Sequence, residues 1–251
     1  MSNLQPVINL GNKYVNGCLG AWASTTTRTV AAGQLRDDTD TFDIVVAAPL
    51  TVSSAVSGAG GLDTGTIANN TVYAVFVIFD PTGAVPPALL LSTSFTSPVM
   101  PSVRGVTYGA KRLVDFTKTD GSAQFLLDYN FSSNSSLVYK QFDAPIVVLN
   151  AGNAGTATTV DLSGSLPTSI TGRAKLQADY TPHAAAETAQ LKPFGATANT
   201  AVISGIVASV KQTNIFDVLP SSGAPKLSYL LSVTTSPAAL TLSLLGAEFF
   251  I

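Results

Sequence analysis

An all-β protein, built as two β-sandwich or jelly-roll-like domains with long loops, is what the sequence predicts, and three observations carry that reading. Helix formers are scarce, with two Glu in 251 residues. Runs of β-branched and aromatic residues recur, each about five to nine residues long and bounded by Gly, Pro, Asn or Asp. The third is strict alternation in Gly172–Tyr180, where Ala174, Leu176, Ala178 and Tyr180 share one face and Arg173, Lys175, Gln177 and Asp179 the other. That period of two defines a half-buried strand.

Taken along the chain, strands are predicted at Thr41–Ala47, Thr71–Phe79, Ala110–Phe116, Ala123–Tyr129 and Leu137–Phe142. Val72–Phe79 (VYAVFVIF) is apolar on both faces and too short to favour a helix, which places it at the centre of a sheet packed on both sides. Gly58–Gly65 (GAGGLDTG) and Asp80–Pro87 (DPTGAVPP) supply turn chemistry between strands. Asp143-Ala144-Pro145 interrupts the pattern, and beyond it aromatics thin out in favour of Ala, Thr and Leu. A domain boundary is therefore predicted near residue 144, giving an N-terminal β domain over 1–143 and a C-terminal β-sandwich over 144–251. The second holds predicted strands at Ile146–Leu149, Gly172–Tyr180, Ala201–Ala208, Asn214–Leu219, Lys226–Val233 and Ala239–Leu245, with turn signals every 8 to 12 residues or so. One helical turn is allowed at His183–Gln190. No repeat of 20 to 50 residues, heptad or collagen-like triplet occurs, so a long fibrous shaft is not expected. The apolar end, Leu242–Ile251 (LSLLGAEFFI), reads as a closing strand or a subunit contact, because each such side chain gains about 1.5–3 kcal/mol on burial.

Composition narrows the function classes. A chain of this length can bury a real core without a staple, and its one cysteine, Cys18, leaves no intrachain disulfide to form. Met1–Asn12 lacks a basic n-region and a long apolar run, and nowhere do about 18 apolar residues follow one another, so neither a signal peptide nor membrane insertion is expected. Charged residues make up 11% of the chain, against about 25% in an average soluble domain. Such a surface relies little on self-repulsion and suits a subunit covered by neighbours. With a net charge of −2 and scattered Lys and Arg, nucleic-acid binding is not expected.

The search for chemistry yields no catalytic, cofactor-binding or metal site. His183, the single histidine, follows a strand without Cys, Asp or Glu at ligand spacing and reads as a loop residue. Cys18 has small, apolar neighbours and reads as a buried, inert thiol. No G-x-S-x-G elbow, P-loop or H-E-x-x-H motif occurs, and the isolated Asp residues do not suggest the paired carboxylates of a glycosidase. Asp37, Asp38, Asp40 and Asp43, four carboxylates in seven residues after Arg36, could bind calcium but lack the glycine and terminal glutamate of an EF-hand loop. A turn leading into a strand is the simpler expectation. Tyr14, Trp22, Phe95, Tyr108, Tyr129, Phe131, Tyr139 and Tyr229 could supply a sugar-stacking platform if exposed; core or subunit contact is the commoner use of such residues.

Four segments together carry a resemblance: AAGQLRDDTDTFDIVV (Ala31–Val46), GGLDTGTIANNTVYAVFVIFD (Gly60–Asp80), ALLLSTSFTSPVMPS (Ala88–Ser102) and LVDFTKTDGSAQF (Leu113–Phe125). Their order, a turn before a strand, a Gly-Leu-Asp-Thr-Gly loop, a Tyr-containing strand, then Leu-Ser-Thr-Ser and Thr-Asp-Gly-Ser turns, resembles virion structural proteins of tailed bacteriophages. Pro101-Ser102-Val103-Arg104-Gly105 departs from that pattern and implies a longer loop before Tyr108. The resemblance implies a non-enzymatic tail fibre or baseplate subunit, or alternatively a head-decorating protein, assembled into the virion in the host cytoplasm. It also implies a homotrimer whose partners are other virion proteins and host-surface glycan.

Overall fold

Twenty-one strands, numbered in chain order, and no helix make up the described part of the chain. The computed structural model describes residues 14–134, 137–168, 172–199, 201–218 and 225–250. The expectations for Met1–Asn12, Leu219 and Ile251 lie outside the described residues.

Two small antiparallel sheets open the N-terminal part. One has the order β1-β4-β5, from Val15–Gly17, Gly33–Arg36 and Asp43–Val46; the other has the order β2-β3-β6, from Gly20–Ser24, Thr27–Val30 and Leu50–Ser53. They pack on a four-stranded sheet of order β12-β8-β9-β7, formed by Ala110–Lys118, Val72–Phe79, Ala88–Ser92 and Gly61–Leu62. The doubly apolar segment is strand β8, an inner strand with a core on each face. Tyr73, Val75 and Val77 join Val30, Leu35, Ile44 and Val52 on one side. Ala74, Phe76 and Ile78 meet Val85, Leu90 and Tyr108 on the other.

The longer loop expected before Tyr108 is a miniature hairpin of β10 (Ser102–Val103) and β11 (Val106–Thr107). Its two turn residues, Arg104 and Gly105, both have positive φ, 54° and 79°. That is the backbone of the two-residue turn whose twist matches the flanking strands.

Two sheets enclose the C-terminal core. The larger has the order β13-β14-β21-β16-β19, from Asp128–Asn134, Leu137–Gly152, Ala239–Phe250, Gly172–Thr181 and Gln212–Val218. The smaller has the order β15-β20-β17-β18, from Thr158–Asp161, Lys226–Leu231, Thr188–Pro193 and Ala201–Ser204. Leu176, Tyr180, Leu242 and Leu244 of the first meet Leu191, Leu227, Tyr229 and Leu231 of the second in one buried cluster. Strand β21 is the closing strand that the apolar C-terminal segment predicts: it lies between β14 and β16, with Phe249 buried.

Two local expectations change. The strand expected at Ala123–Tyr129 begins at Asp128, because Asp120 accepts the N–H groups of Ser122 and Gln124 and holds that stretch as a turn. The helical turn expected at His183–Gln190 is a loop followed by β17, where Ala189 and Leu191 are buried between β18 and β20; pairing on both edges outweighs the helix propensity of alanine. Residue 144 lies inside β14, at a register break between Gln141 and Ile146, and β13 with the first half of β14 joins the sheet of the C-terminal strands. Pro145 has no N–H to give to a ladder, and a bulge accommodates it without ending the strand.

A buried charge cluster links the two parts. Arg28 of β3 reaches Asp115 of β12 at 2.8 Å and binds Asp128 of β13 through two nitrogens at 2.8 and 3.0 Å. Lys140 of β14 meets the same two carboxylates at 3.1 and 2.9 Å. Asn130 of β13 donates to Asp115 and to the carbonyl of Gly20 in β2. A Cβ on Gly20 would stand 2.2 Å from the Asp115 carboxylate, so glycine is required there. All four charged residues are at most 5% exposed, with two cations balanced by two anions.

Burial pushes the Asp115 carboxyl up, but the ammonium of Lys140 and the guanidinium of Arg28 outweigh it and hold the group below its usual range. Asp115→Asn is expected to cost roughly 3–5 kcal/mol in urea unfolding, since it leaves buried cations under-compensated. Replacing the whole cluster by apolar residues of similar volume is expected to cost less than that single change.

The acid limb follows from the same group. Its folded pKa lies below the unfolded value of about 3.9, so the unfolded chain binds protons first as pH falls. Its contribution is thus complete above roughly pH 4–5 and disappears as pH drops through the folded value. Thermal melts from pH 7 to 2 are expected to show this decline, and Asp115→Asn to flatten it.

Candidate functional site

Most carboxylates of the N-terminal part hold turns. Asp37 is buried and accepts N–H groups from Thr39, Thr41 and Phe42 as well as the Thr39 hydroxyl. Although burial opposes it, this set of hydrogen bonds keeps its pKa below the usual range. Asp38 pairs with Lys111, and Arg36 lies 3.1 Å from both Asp40 and Asp43. The acidic run is thus brought together as a turn braced by two cations. Among the described residues no group of three or more His, Cys, Asp or Glu is placed to hold a metal ion.

The loops of the segments Gly60–Asp80 and Ala88–Ser102 are built the same way. Asp63 of the Gly-Leu-Asp-Thr-Gly loop accepts from Thr64 N, the Ser92 hydroxyl and Val99 N at 2.7, 2.7 and 3.0 Å. Asp80 accepts from the Thr82 hydroxyl and from the N–H groups of Thr82, Ala84 and Val85, and the Thr82 bonds lead in lowering its pKa. These are backbone-organising roles.

His183 is exposed; its Nδ1 lies 2.9 Å from the carbonyl oxygen of Ser236, and its backbone N–H donates to Glu187. Cys18 is buried at the β1–β2 corner, far along the chain from it, and burial pushes its thiol up to about 11. The two form no hydrogen-bonded pair.

Of the eight aromatic residues singled out above, Tyr108 and Tyr229 are buried. Trp22 donates its indole N–H to Phe125 O at 3.1 Å, and Tyr14 its hydroxyl to Asp43 at 3.0 Å. Phe95 is half-buried against the cores. The remaining three converge. Tyr129, Phe131 and Tyr139 are 46%, 57% and 41% exposed, all on the outer face of the five-stranded sheet.

Strand register arranges that face in rows. One row runs Phe131, Tyr139, Glu248, Arg173; the next runs Tyr129, Gln141, Gly246, Lys175, Asp217. A bulge in β21 makes the opening between them. Leu244 pairs with Leu176 and Gly246 with Lys175, so Leu245 has no partner and the inside-outside phase reverses. A side chain at Gly246 would stand 2.2 Å from the Lys140 carbonyl, so glycine is required there, and a shallow cleft of about 130 Å³ lies beside it. Phe131, Tyr139, Gln141, Arg173, Lys175, Asp217, Leu245 and Glu248 line it.

The three aromatics are visible in the sequence, and the polar rim is not. The break of alternation at Leu244-Leu245-Gly246 was the available signal. Asp217 and Glu248 stand on strands separated by β16, roughly 9.5 Å apart across the sheet at strand spacing and offset by two residues along it, with Arg173 and Lys175 between.

No family model matches the chain, and no curated protein does. Among solved structures, the chain is similar to one of infectious bursal disease virus, Gx strain, at 11% identity, covering 97% of this chain and 68% of that one, with a TM-score of 0.21. The Gt strain structure gives 13%, 96%, 66% and 0.20. A tryptic core variant of Cry1Da from Bacillus thuringiensis gives 8%, 95%, 50% and 0.22, so the chain spans half of that protein.

The high thiol pKa and burial of Cys18 predict that Ellman's reagent leaves the native protein unmodified at pH 8 and titrates one thiol after denaturation.

Proposed function

We propose that this chain is a non-enzymatic structural subunit of a tailed-bacteriophage virion, placed in the tail as a short fibre or baseplate component that docks on the particle and takes part in host adsorption. The observation that carries the reading is the outer face of the five-stranded sheet. Its large aromatic side chains are left open to solvent while the acidic residues elsewhere are engaged in turns and in the buried cluster. A protein with that division of labour is equipped to adhere. The phage-like order of loops over residues 31–125 and the low charge content support the same reading.

A second reading, a head-decorating protein, draws on the loop between β18 and β19, where Ile206, Val207 and Val210 are exposed. Apolar side chains of that kind suit a contact made only on an assembled shell. Gold-conjugated antibody against this protein, applied to intact particles and viewed by electron microscopy, is expected to label the tail end. Label spread over the head would favour the second reading, and particles without label would remove both.

A further inference from the structure

We infer that the cleft over Gly246 is a binding site for an uncharged hexopyranose glycan, one ring of which sits on Phe131 and Tyr139; the inference rests on the adsorption role proposed above. Three features of the face point to a sugar. Phe131 and Tyr139 are direct cross-strand neighbours, and Tyr129 stands one row away, so apolar ring faces lie side by side on a rigid sheet. Next to them are Gln141, Arg173, Glu248, Lys175 and Asp217, planar or multidentate groups that can meet hydroxyls as donor and acceptor together. Among the described residues, Arg173, Lys175, Asp217 and Glu248 enter no ion pair with one another, although register places Arg173 opposite Glu248 and Lys175 opposite Asp217. Their polar atoms remain available to a ligand.

Charge selects the class of sugar. Arg173 and Lys175 are balanced by Asp217 and Glu248, while the Lys140 ammonium is directed under the sheet to Asp115 and Asp128. The face has no net attraction for sulfate, sialate or uronate groups. Size limits the mode of binding. At about 130 Å³ the cleft is smaller than the roughly 300–1,000 Å³ pockets that enclose whole ligands, so it accepts one ring of a chain lying across the sheet. A second copy of this protein would set its own two cations and two anions against those of this face, and the solution mass of the aromatic variants separates that outcome from a sugar.

The test uses the full chain on a printed array of bacterial surface polysaccharides together with neutral and anionic hexose oligomers, followed by calorimetric titration of the strongest neutral binder. Phe131→Ala and Tyr139→Ala are each expected to weaken binding about tenfold, equivalent to roughly 1.4 kcal/mol. Gln141→Ala is expected to weaken it too, and Phe42→Ala, an exposed aromatic on β5's approach, to leave it unchanged. Melting temperatures of these surface variants are expected to match the parent. The bound glycan is expected to keep its chain length.

Silence across the array, preference for anionic members, or undiminished binding by both aromatic variants would overturn the inference. So would a solution mass that falls on Tyr139→Ala, which would make the face a contact between copies, or shortening of the glycan, which would make the cleft catalytic. The outcomes separate from those of particle labelling: label on the tail with a silent array removes only the sugar site, and sugar binding without label removes only the virion role.

Discussion

The buried cluster of Arg28, Asp115, Asp128 and Lys140 ties the N-terminal sheets to the five-stranded sheet of the C-terminal part. A guanidinium on β3 cannot be taken out of water unless its charge is met, and the carboxylates that meet it come from β12 and β13. Removing any one member leaves another exposed to a low dielectric, so the cluster behaves as a unit. Its position matters as much as its strength. Asp115 and Thr117 face Arg28 from one side of β12. On the same strand, Phe116 reaches the C-terminal core and packs edge-on against Phe249 at 4.8 Å. The Lys140 ammonium lies 5.0 Å from the centre of the Phe116 ring, which adds a cation–π contact to the two ion pairs. One strand therefore holds a carboxylate between Arg28 of the N-terminal sheets and Lys140 of the five-stranded sheet, and on its other side an aromatic ring in the C-terminal core.

That placement decides what the outer sheet face can be. Because Lys140 points inward, its neighbours Tyr139 and Gln141 must point outward, by the period of two. Strand β13 follows the same rule: Asp128 is inside, so Tyr129 and Phe131 are outside. The exposed aromatics are thus a consequence of the buried charges, fixed by the same two strands. In β21 the bulge at Leu245 performs the complementary task. It lets Leu240, Leu242 and Leu244 face the core before it and Ala247 and Phe249 after it, while two consecutive residues, Leu245 and Gly246, border the cleft.

Much of the fold was legible because its signals are local. Val72–Phe79 could be placed between two cores from its own composition, and Gly172–Tyr180 could be assigned a buried face from alternation alone; the structure shows both. The strand expected from Ala123 failed for a local reason too, since Asp120 captures backbone N–H groups that a ladder would need. The charge cluster could not be read. Its four members lie on separate strands, each an unremarkable charged residue until pairing brings them together. The site was half legible for the same reason: a list of eight aromatic residues contains the three that matter, but only register shows which share a face with Arg173 and Lys175.

The scarcity of charge acquires a physical meaning once the charges are located. Asp115 and Asp128 are committed to the interior, and Asp37, Asp63, Asp80 and Asp120 to turns, where a carboxylate accepting several N–H groups stiffens a loop without a disulfide. Little charge is left to keep like surfaces apart. The surface that results is polar but weakly repulsive, and its loops are held by their own hydrogen bonds rather than by a neighbour. Such a subunit can be brought close to other copies or to a foreign surface at small electrostatic cost. Among the described residues, the outer face of the five-stranded sheet keeps Arg173, Lys175, Asp217 and Glu248 out of ion pairs beside three open rings, which offers donors, acceptors and apolar ring faces together to a narrow ligand rich in hydroxyls.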